Sequence, residues 1–538
     1  MNKVDVLIVG AGPVGLTLAI ECRRQGVSFR IVDKNPGPSD KSKALGIWSG
    51  TIECMAAMGV VDEFLARSMP GHGLMFHDTG KFLNRICIHE GVESLYPVPM
   101  LIPQCWTEEI LATHLHRAGV KIERPLELSG MKDDGSGVEA TLTHPDGTTE
   151  TIRAKWLAGC DGAHSFARHH LPVTFDGVPE NSAFILCDAK VEGDVPPDHL
   201  FINWGPTGVC IFFPVKPGIF RLFQVRPDTT NHAPPTLDEM NSFLRDNGLG
   251  RLRMYDPEWL AYFGVNERFA SRARVGRVFL LGDAAHVHSP AGGQGMNTGM
   301  QDAFNLGWKL ALLTRGRGDT EAIAESFHAE RHPIAKMLIE KTTKLLHFGM
   351  AHGKFMRVAK DIAVKHLFQT QFVQARLSGE LSELHIAYPE SPLVVSDDPA
   401  WHGNKGFKPG TKPRDVALVH AVTREMVSLW RQFLTTKHTL VLFSGTKQDA
   451  DISSCLAQVA AFAKKYGDYV QVIIIWAGES TVFETTAEVY FDPEGNAHER
   501  FGVEQPVWYL VRPDQYLAAR GMMTQTELLA AYLKKVLG

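Results

Sequence analysis

The chain has 538 residues, 44% of them hydrophobic and 21% charged, with a formal net charge of −5. That length calls for two or three domains, that composition for globular ones, and the mild acidity removes any general electrostatic pull toward nucleic acid or an anionic membrane. The eight cysteines (Cys22, Cys54, Cys87, Cys105, Cys160, Cys187, Cys210 and Cys455) are scattered without a CxxC pair or a Cys/His cluster. No metal site is therefore expected, and reduced thiols in a cytoplasmic protein are.

The apolar run Val4–Ile20 is broken by Asp5, Gly10, Gly12, Pro13 and Gly15 and has neither a basic leader nor a small-residue cleavage site. It does not read as a signal peptide, and no stretch elsewhere reaches the ~18 apolar residues of a membrane span. VDVLIVG (Val4–Gly10) reads instead as a buried parallel strand. GAGPVG follows, then a helical segment, LTLAIECRRQG, and a second strand, SFRIVD, that ends at Asp33. Gly10 permits a tight turn, Gly12 lets a pyrophosphate approach the backbone, and Gly15 allows close helix–strand contact. Pro13 and Val14 open the helix, whose N-terminal N–H groups suit phosphates. Asp33 is placed to accept from a ribose hydroxyl, with Lys34 beside it. The order strand, turn, helix, strand, acid makes this a dinucleotide site; it does not separate FAD from NAD.

Two later motifs make that choice. Leu157–Arg168 carries Asp161-Gly162 followed by Ser165 and Arg168. Arg277–Leu313 holds a strand ending in Gly282-Asp283, then Pro290, a Gly-Gly-Gln-Gly turn with Gly293 and Gly295, and a long helix. With the first glycine motif, in this order, the chain resembles the class A FAD-dependent aromatic hydroxylases, specifically the phenol and polyketide hydroxylase group. The resemblance implies that Asp283 bonds the ribityl chain of FAD and that Asp161 and Gly162 lie near the cofactor and the NAD(P)H path. It implies that the backbone at Gly295, Met296 and Asn297 faces the flavin N1–C2=O edge, where a helix N-terminus stabilises charge formed on reduction. Pro290 is placed at the C4a–N5 edge, with His286 and His288 packing beneath the flavin. Gln104, ahead of Glu108, Glu109 and Leu111, resembles the family's glutamine near the flavin, and Ser326–Pro333 the stretch closing the hydroxylase part. Two departures stand out: Lys43-Ala44 replaces an Arg-Ala pair, keeping charge without the planar fork, and Gly50 stands where a second arginine is usual.

Between the second and third motifs, AFILCDAKV, HLFINW, GVCIFFPV and IFRLFQV alternate as antiparallel strands. In the resembled family this inserted sheet roofs the substrate pocket. Phe201, Asn203, Ile211, Phe213, Arg221 and Gln224 are the candidates to line it. Their apolar balance favours a phenol or a larger polycycle over a carboxylated ring, with Arg221 the residue able to reverse that as a carboxylate or phenolate partner.

A Pro/Gly-rich connector then leads into alternating strands and helices that resemble the thioredoxin-like domain appended in this group. Its CxxC is missing and Cys455 stands alone, so a structural or subunit-contact role is expected. The expected division is an α/β FAD-binding domain (1–175 and 268–390), an antiparallel substrate domain (176–267), a linker (391–415) and a thioredoxin-like domain (416–538), in a homodimer. The cycle the resemblance implies is reduction of FAD by NAD(P)H, reaction with O₂ to a flavin C4a-hydroperoxide, and hydroxylation of a phenol-like or polycyclic aromatic. No second glycine-motif-plus-acid unit offers NAD(P)H its own domain, so a transient groove is expected. The alternatives are a flavin oxidase or reductase without oxygen insertion, a halogenase, whose tryptophan signature is absent, and a non-catalytic flavin-binding scaffold.

Overall fold

The computed structural model describes residues 2–226, 230–288, 292–350, 360, 362–367, 370–395, 406–447, 452–479, 485 and 487–538. The first strand, Asn2–Val9, lies at the centre of a sheet ordered Arg274–Val275, Val278–Leu280, Thr149–Gly159, Asn2–Val9, Phe29–Val32, Ile122–Glu123. Its pairings with Thr149–Gly159 and Phe29–Val32 are parallel. Val6, Leu7 and Ile8 are all fully buried because both faces of the sheet are covered, which is why the strand is apolar without alternation. Helices Pro13–Arg24 and Gly295–Thr314 cover one face through Leu16, Ala19, Met300 and Ala303. The hairpin strands Glu127–Asp133 and Val138–Thr143 cover the other with Leu128 and Ala140.

The second sheet runs His286–Val287, Arg253–Ala270, Phe175–Glu192, Ile219–Arg226, Val209–Lys216, His199–Trp204, Gly73–Asp78, Lys81–Cys87. It is larger than the segment 176–267. The hairpin Gly73–Cys87, lying before the second motif, adds two strands, one of them parallel to His199–Trp204. Two strands of 18 residues, Phe175–Glu192 and Arg253–Ala270, pair with each other and carry the chain out from the first sheet and back. On one face of this second sheet sits the helix Leu237–Asp246, whose Met240, Phe243 and Leu244 pack on Ile185, Phe212 and Leu222. Thr236 caps that helix by accepting from Glu239 N (3.1 Å).

The third sheet is ordered Met426–Ser428, Ala417–His420, Glu488–Asp492, Val470–Ala477, His438–Phe443, Val507–Val511, Leu517–Met522. Its three inner strands are parallel, and helices Ile452–Lys464 and Thr526–Leu537 accompany it. The core is continuous with that of the first sheet through helix Gly295–Thr314: Trp308 meets the His438 ring edge-on at 5.5 Å. The connector, expected to be a linker, is docked where it is described. Ser391 and Leu393 are buried, Ser391 Oγ donates to Glu330 (2.5 Å), and Gly410 N donates to Leu517 O (2.7 Å). Its described glycines Gly406 and Gly410 take turns packed against Phe501 and Tyr388, a use that composition does not distinguish from a free tether. No helix among the described residues is long and apolar enough to cross a membrane.

Candidate active site

The first glycine turn closes by direct contact. Gly10 has φ +103°, and a Cβ there would lie 2.3 Å from Cys160 O; a Cβ on Gly15 would lie 1.8 Å from Gly10 O. Gly12 differs: nothing lies within 4 Å of its Cβ position, and it forms the cavity floor at the start of helix Pro13–Arg24, which no side chain caps. Asp33 is braced at the cavity edge, Oδ2 accepting from Ala11 N (2.7 Å) and Oδ1 from Asn35 N (2.8 Å). Pro13, Val14, Lys34 and Lys43 also line the cavity, the lysines exposed. Gln104 joins them; its Oε1 accepts from Ala44 N (3.3 Å) and its Nε2 donates to Glu108 (3.0 Å).

At the third motif Gly282 has φ +55°, and its Cβ position is 2.8 Å from Val14 Cγ2; that of Gly299 is 2.7 Å from the same methyl. Strand end, first helix and helix Gly295–Thr314 thus meet without room for a side chain. Asp283 projects into the cavity with no hydrogen-bond partner among the described residues. The turn is held from behind by Asp302, which accepts from Gly282 N (3.1 Å), His286 Nε2 (2.8 Å) and Arg331 Nε (2.6 Å). Burial alone raises the pKa of such a carboxyl, but the Arg331 and His286 charges outweigh it and hold Asp302 below its usual value. His286 therefore turns toward Asp302, away from the cavity, while His288 lines the cavity beside Gly295. Pro290 lies outside the described residues.

Asp161 braces its own motif, accepting from Ser165 Oγ (2.6 Å) and Ala167 N (3.1 Å), while Gly162 (φ +77°) lines the cavity. Arg168, buried over the Phe175 ring, donates to Ala163 O and Ala284 O and so ties the second motif to the third. Helix Gly295–Thr314 starts without a side-chain cap, and Gly293, Gly295 and Met296 face the cavity. The Asn297 side chain does not: it accepts from Trp48 N (2.9 Å) and donates to Gly46 O and Gly293 O, fastening the helix start to the neighbouring segment. Gly50 is buried away from the cavity, with its Cβ position 3.1 Å from Ser382 O and 3.2 Å from Glu383 O. The chain after helix Gln371–Ser382 fills the space that a long side chain at position 50 needs.

One cavity of about 980 Å³ joins these turns to the second sheet. The sheet face toward it carries Leu200, Ile202, Trp204, Ile211, Phe213 and Phe223, joined by Leu377 and Leu381 from helix Gln371–Ser382. Of the substrate candidates, Ile211, Phe213 and Arg221 are therefore on the cavity side, and Phe201, Asn203 and Gln224 are not. Phe201 stacks on His77 (4.1 Å) in the core under helix Leu237–Asp246. Asn203 accepts from Gly80 N and donates to Asn247 O, and Gln224 is buried on the same outer side. Leu200, Ile202 and Trp204 face the cavity and His199, Phe201 and Asn203 the outer side, where the two polar side chains are buried as well, so a choice of face shifted by one residue selects the wrong set. Arg221 is largely engaged: Nε and Nη2 fork onto Asp188 (2.7 and 2.8 Å), Nη2 also donates to Ser42 O (2.5 Å), and one Nη1–H donates to Lys43 O (3.0 Å). It clamps the sheet to the loop below, and with four of its five N–H bonds spent it offers no bidentate edge to a substrate anion. Leu377 and Leu381 lie beyond the family motifs, and the sequence gives no signal for them.

The arrangement fits FAD: an open glycine floor at Gly12, two uncapped helix N-termini, a braced acid at Asp33 and an unengaged acid at Asp283 all face one elongated cavity. No group of three His, Cys, Asp or Glu side chains among the described residues could hold a metal. Fold and site define an FAD-binding oxidoreductase with a large apolar chamber over the cofactor cleft. Residues 3–342 match the FAD binding domain family, and the chain belongs to it. It is 34% identical over 542 residues to 6-methylpretetramide 4-monooxygenase of Streptomyces rimosus, covering 98% of this chain and 93% of that one. It is 28% identical to pentachlorophenol 4-monooxygenase of Sphingobium chlorophenolicum over 99% and 96%. The solved structure of an anhydrotetracycline hydroxylase from Streptomyces rimosus superposes with a TM-score of 0.78 at 28% identity, over 100% of this chain and 99% of that one. The chain is an FAD-dependent aromatic monooxygenase.

Proposed function

We propose that the enzyme inserts one oxygen atom of O₂ into an uncharged polycyclic aromatic, with NAD(P)H as electron donor. The observation that carries this reading is the single cavity of about 980 Å³, one wall made of cofactor-binding turns and the other of aliphatic and aromatic side chains. The engagement of Arg221 by Asp188 favours a neutral substrate, since its guanidinium then has no bidentate edge left for a carboxylate. The names 6-methylpretetramide 4-monooxygenase and pentachlorophenol 4-monooxygenase support oxygen insertion. FAD, when bound, supplies electron transfer and activation of O₂. The chain supplies orientation by the helix N-termini at Pro13 and Gly295, charge stabilisation at the latter, and exclusion of water by the apolar wall. His164, His169 and His170 border the cavity beside the Asp161-Gly162 turn, a polar mouth that suits a transient NAD(P)H groove. Residues 416–538 fit a thioredoxin-like unit with a structural role: three parallel inner strands flanked by helices, and no CxxC.

The test is anaerobic reduction of the bound flavin by NADH or NADPH in the presence of uncharged polycycles, simple phenols and benzoates. Uncharged polycycles are expected to accelerate bleaching most. Acceleration by benzoates alone, or by no aromatic, overturns the reading.

A further inference from the structure

A file of buried polar groups runs from the back of the Gly282-Asp283 turn into the C-terminal unit. Asp302, 1% exposed, holds Gly282 N and His286 with one oxygen and Arg331 with the other. Arg331 stands on the long helix Thr320–Met350. It donates onward to Thr298 O (3.2 Å), in the first turn of the helix whose N-terminus faces the cavity, and to Tyr388 Oη (2.7 Å). The Tyr388 ring lies 4.3 Å from that of Tyr516, which immediately precedes the last strand of the C-terminal sheet, and Tyr388 N donates to Gly410 O (2.8 Å). None of these four side chains lines the large cavity. Their main-chain links toward it are Gly282 N, one residue before the cavity-lining Asp283, and Thr298 O, two residues after the cavity-lining Met296.

Buried charges of this kind carry a desolvation cost, and well-packed apolar side chains often replace them with no loss of stability. What an ion-paired, hydrogen-bonded file adds is direction: a bond from Asp302 to Gly282 N fixes where the next residue, Asp283, points. We propose that Asp302, Arg331, Tyr388 and Tyr516 are positioning residues through which the C-terminal unit holds the Gly282-Asp283 turn and the start of helix Gly295–Thr314 in the geometry that grips FAD. The C-terminal unit is then a working part of the flavin site although none of its described residues lines the cofactor cavity. Without the Tyr388 hydroxyl, a buried Arg331 N–H loses its acceptor, and the guanidinium is pulled from its place between Asp302 and Thr298.

The experiment uses the full-length apoprotein titrated with FAD, with quenching of flavin fluorescence as the readout. Thermal unfolding of the same apoprotein is measured in parallel. Asp302→Asn is expected to weaken FAD binding by about tenfold or more, as loss of a charge-assisted contact does. Tyr388→Phe, which removes one oxygen far from the cofactor, is expected to weaken it about threefold. Tyr490→Phe is the matched control. It deletes a hydroxyl hydrogen bond within the C-terminal unit, to Gln432 Oε1 (2.9 Å), outside the file. It is expected to lower the unfolding temperature with FAD affinity unchanged. Equal FAD affinity for Tyr388→Phe and Tyr490→Phe overturns the file beyond Arg331, and with it the link to the C-terminal unit, and unchanged affinity in Asp302→Asn overturns the proposal altogether.

Discussion

Replacing Arg221 by Met separates a clamp from a substrate-binding group. The Arg221 side chain is 3% exposed and that of its partner Asp188 is 8% exposed. Removing the guanidinium leaves a buried carboxylate without its counter-charge and two carbonyls, of Ser42 and Lys43, without their donor. Breaking one side of a buried pair costs about 3–5 kcal/mol, mostly from the charge left behind. The double variant Asp188→Asn/Arg221→Met removes that stranded charge and is expected to recover more than half of the loss. Trp259, one of ten tryptophans, has its ring 5.1 Å from the guanidinium, and tryptophan fluorescence in urea gives the unfolding midpoint. The clamp predicts a large drop in urea midpoint for the single variant, partial recovery in the double, and the same order of substrate preference in both. An unchanged midpoint with a raised KM for acidic aromatics alone would refute it.

Other consequences are equally open to measurement. Asp283→Ala removes the cavity-facing carboxylate of the third motif and is expected to weaken FAD retention by about 10–100-fold, the range for one or two hydrogen bonds to a charged group; a variant that stays fully yellow through desalting contradicts the assignment. Phe223→Ala, on the cavity face, is expected to change which aromatics accelerate flavin reduction. Phe201→Ala, on the opposite face, is expected instead to cost about 3–5 kcal/mol of stability with the preference order retained; the reverse pattern would show the faces misassigned. His438 is buried between Trp308 and Tyr532, and burial, reinforced by Arg512, lowers its pKa from 6.5 to about 3. Between those values the unfolded chain binds a proton that the folded one refuses, so the stability present above pH 6.5 falls steadily as the pH drops toward 3. His438→Gln is expected to flatten that part of the stability profile, and an unaltered acid slope would exclude His438 as a source.

The cofactor half of the site was largely legible because its chemistry is carried by backbone turns with fixed spacing. Gly10, Gly12 and Gly15 each sit where a Cβ is either impossible or unwanted, and such positions announce themselves in sequence. The substrate half was less so. Strand His199–Trp204 alternates, but its polar positions His199 and Asn203 are hydrogen-bonded within the protein on the outer side, and the cavity takes the wholly apolar set Leu200, Ile202 and Trp204, so polarity did not mark the substrate face. The roles of Asp302 and Arg331 were hidden for another reason: their partners Gly282 and Tyr388 are 20 and 57 residues away. Arg221 looked available because a sequence shows its charge but not Asp188 across the pair, 33 residues earlier. The hairpin Gly73–Cys87 joins the second sheet from outside the segment that sequence assigns to it, a non-local pairing with no local signature.

The central claim is oxygen insertion, and isotopically heavy O₂ tests it most directly. The holoenzyme, supplied with NAD(P)H, labelled O₂ and the aromatic that best accelerates flavin reduction, should give a product carrying one heavy oxygen atom for each NAD(P)H consumed. Hydrogen peroxide without labelled product, or a hydroxylated product whose oxygen comes from water, would contradict it.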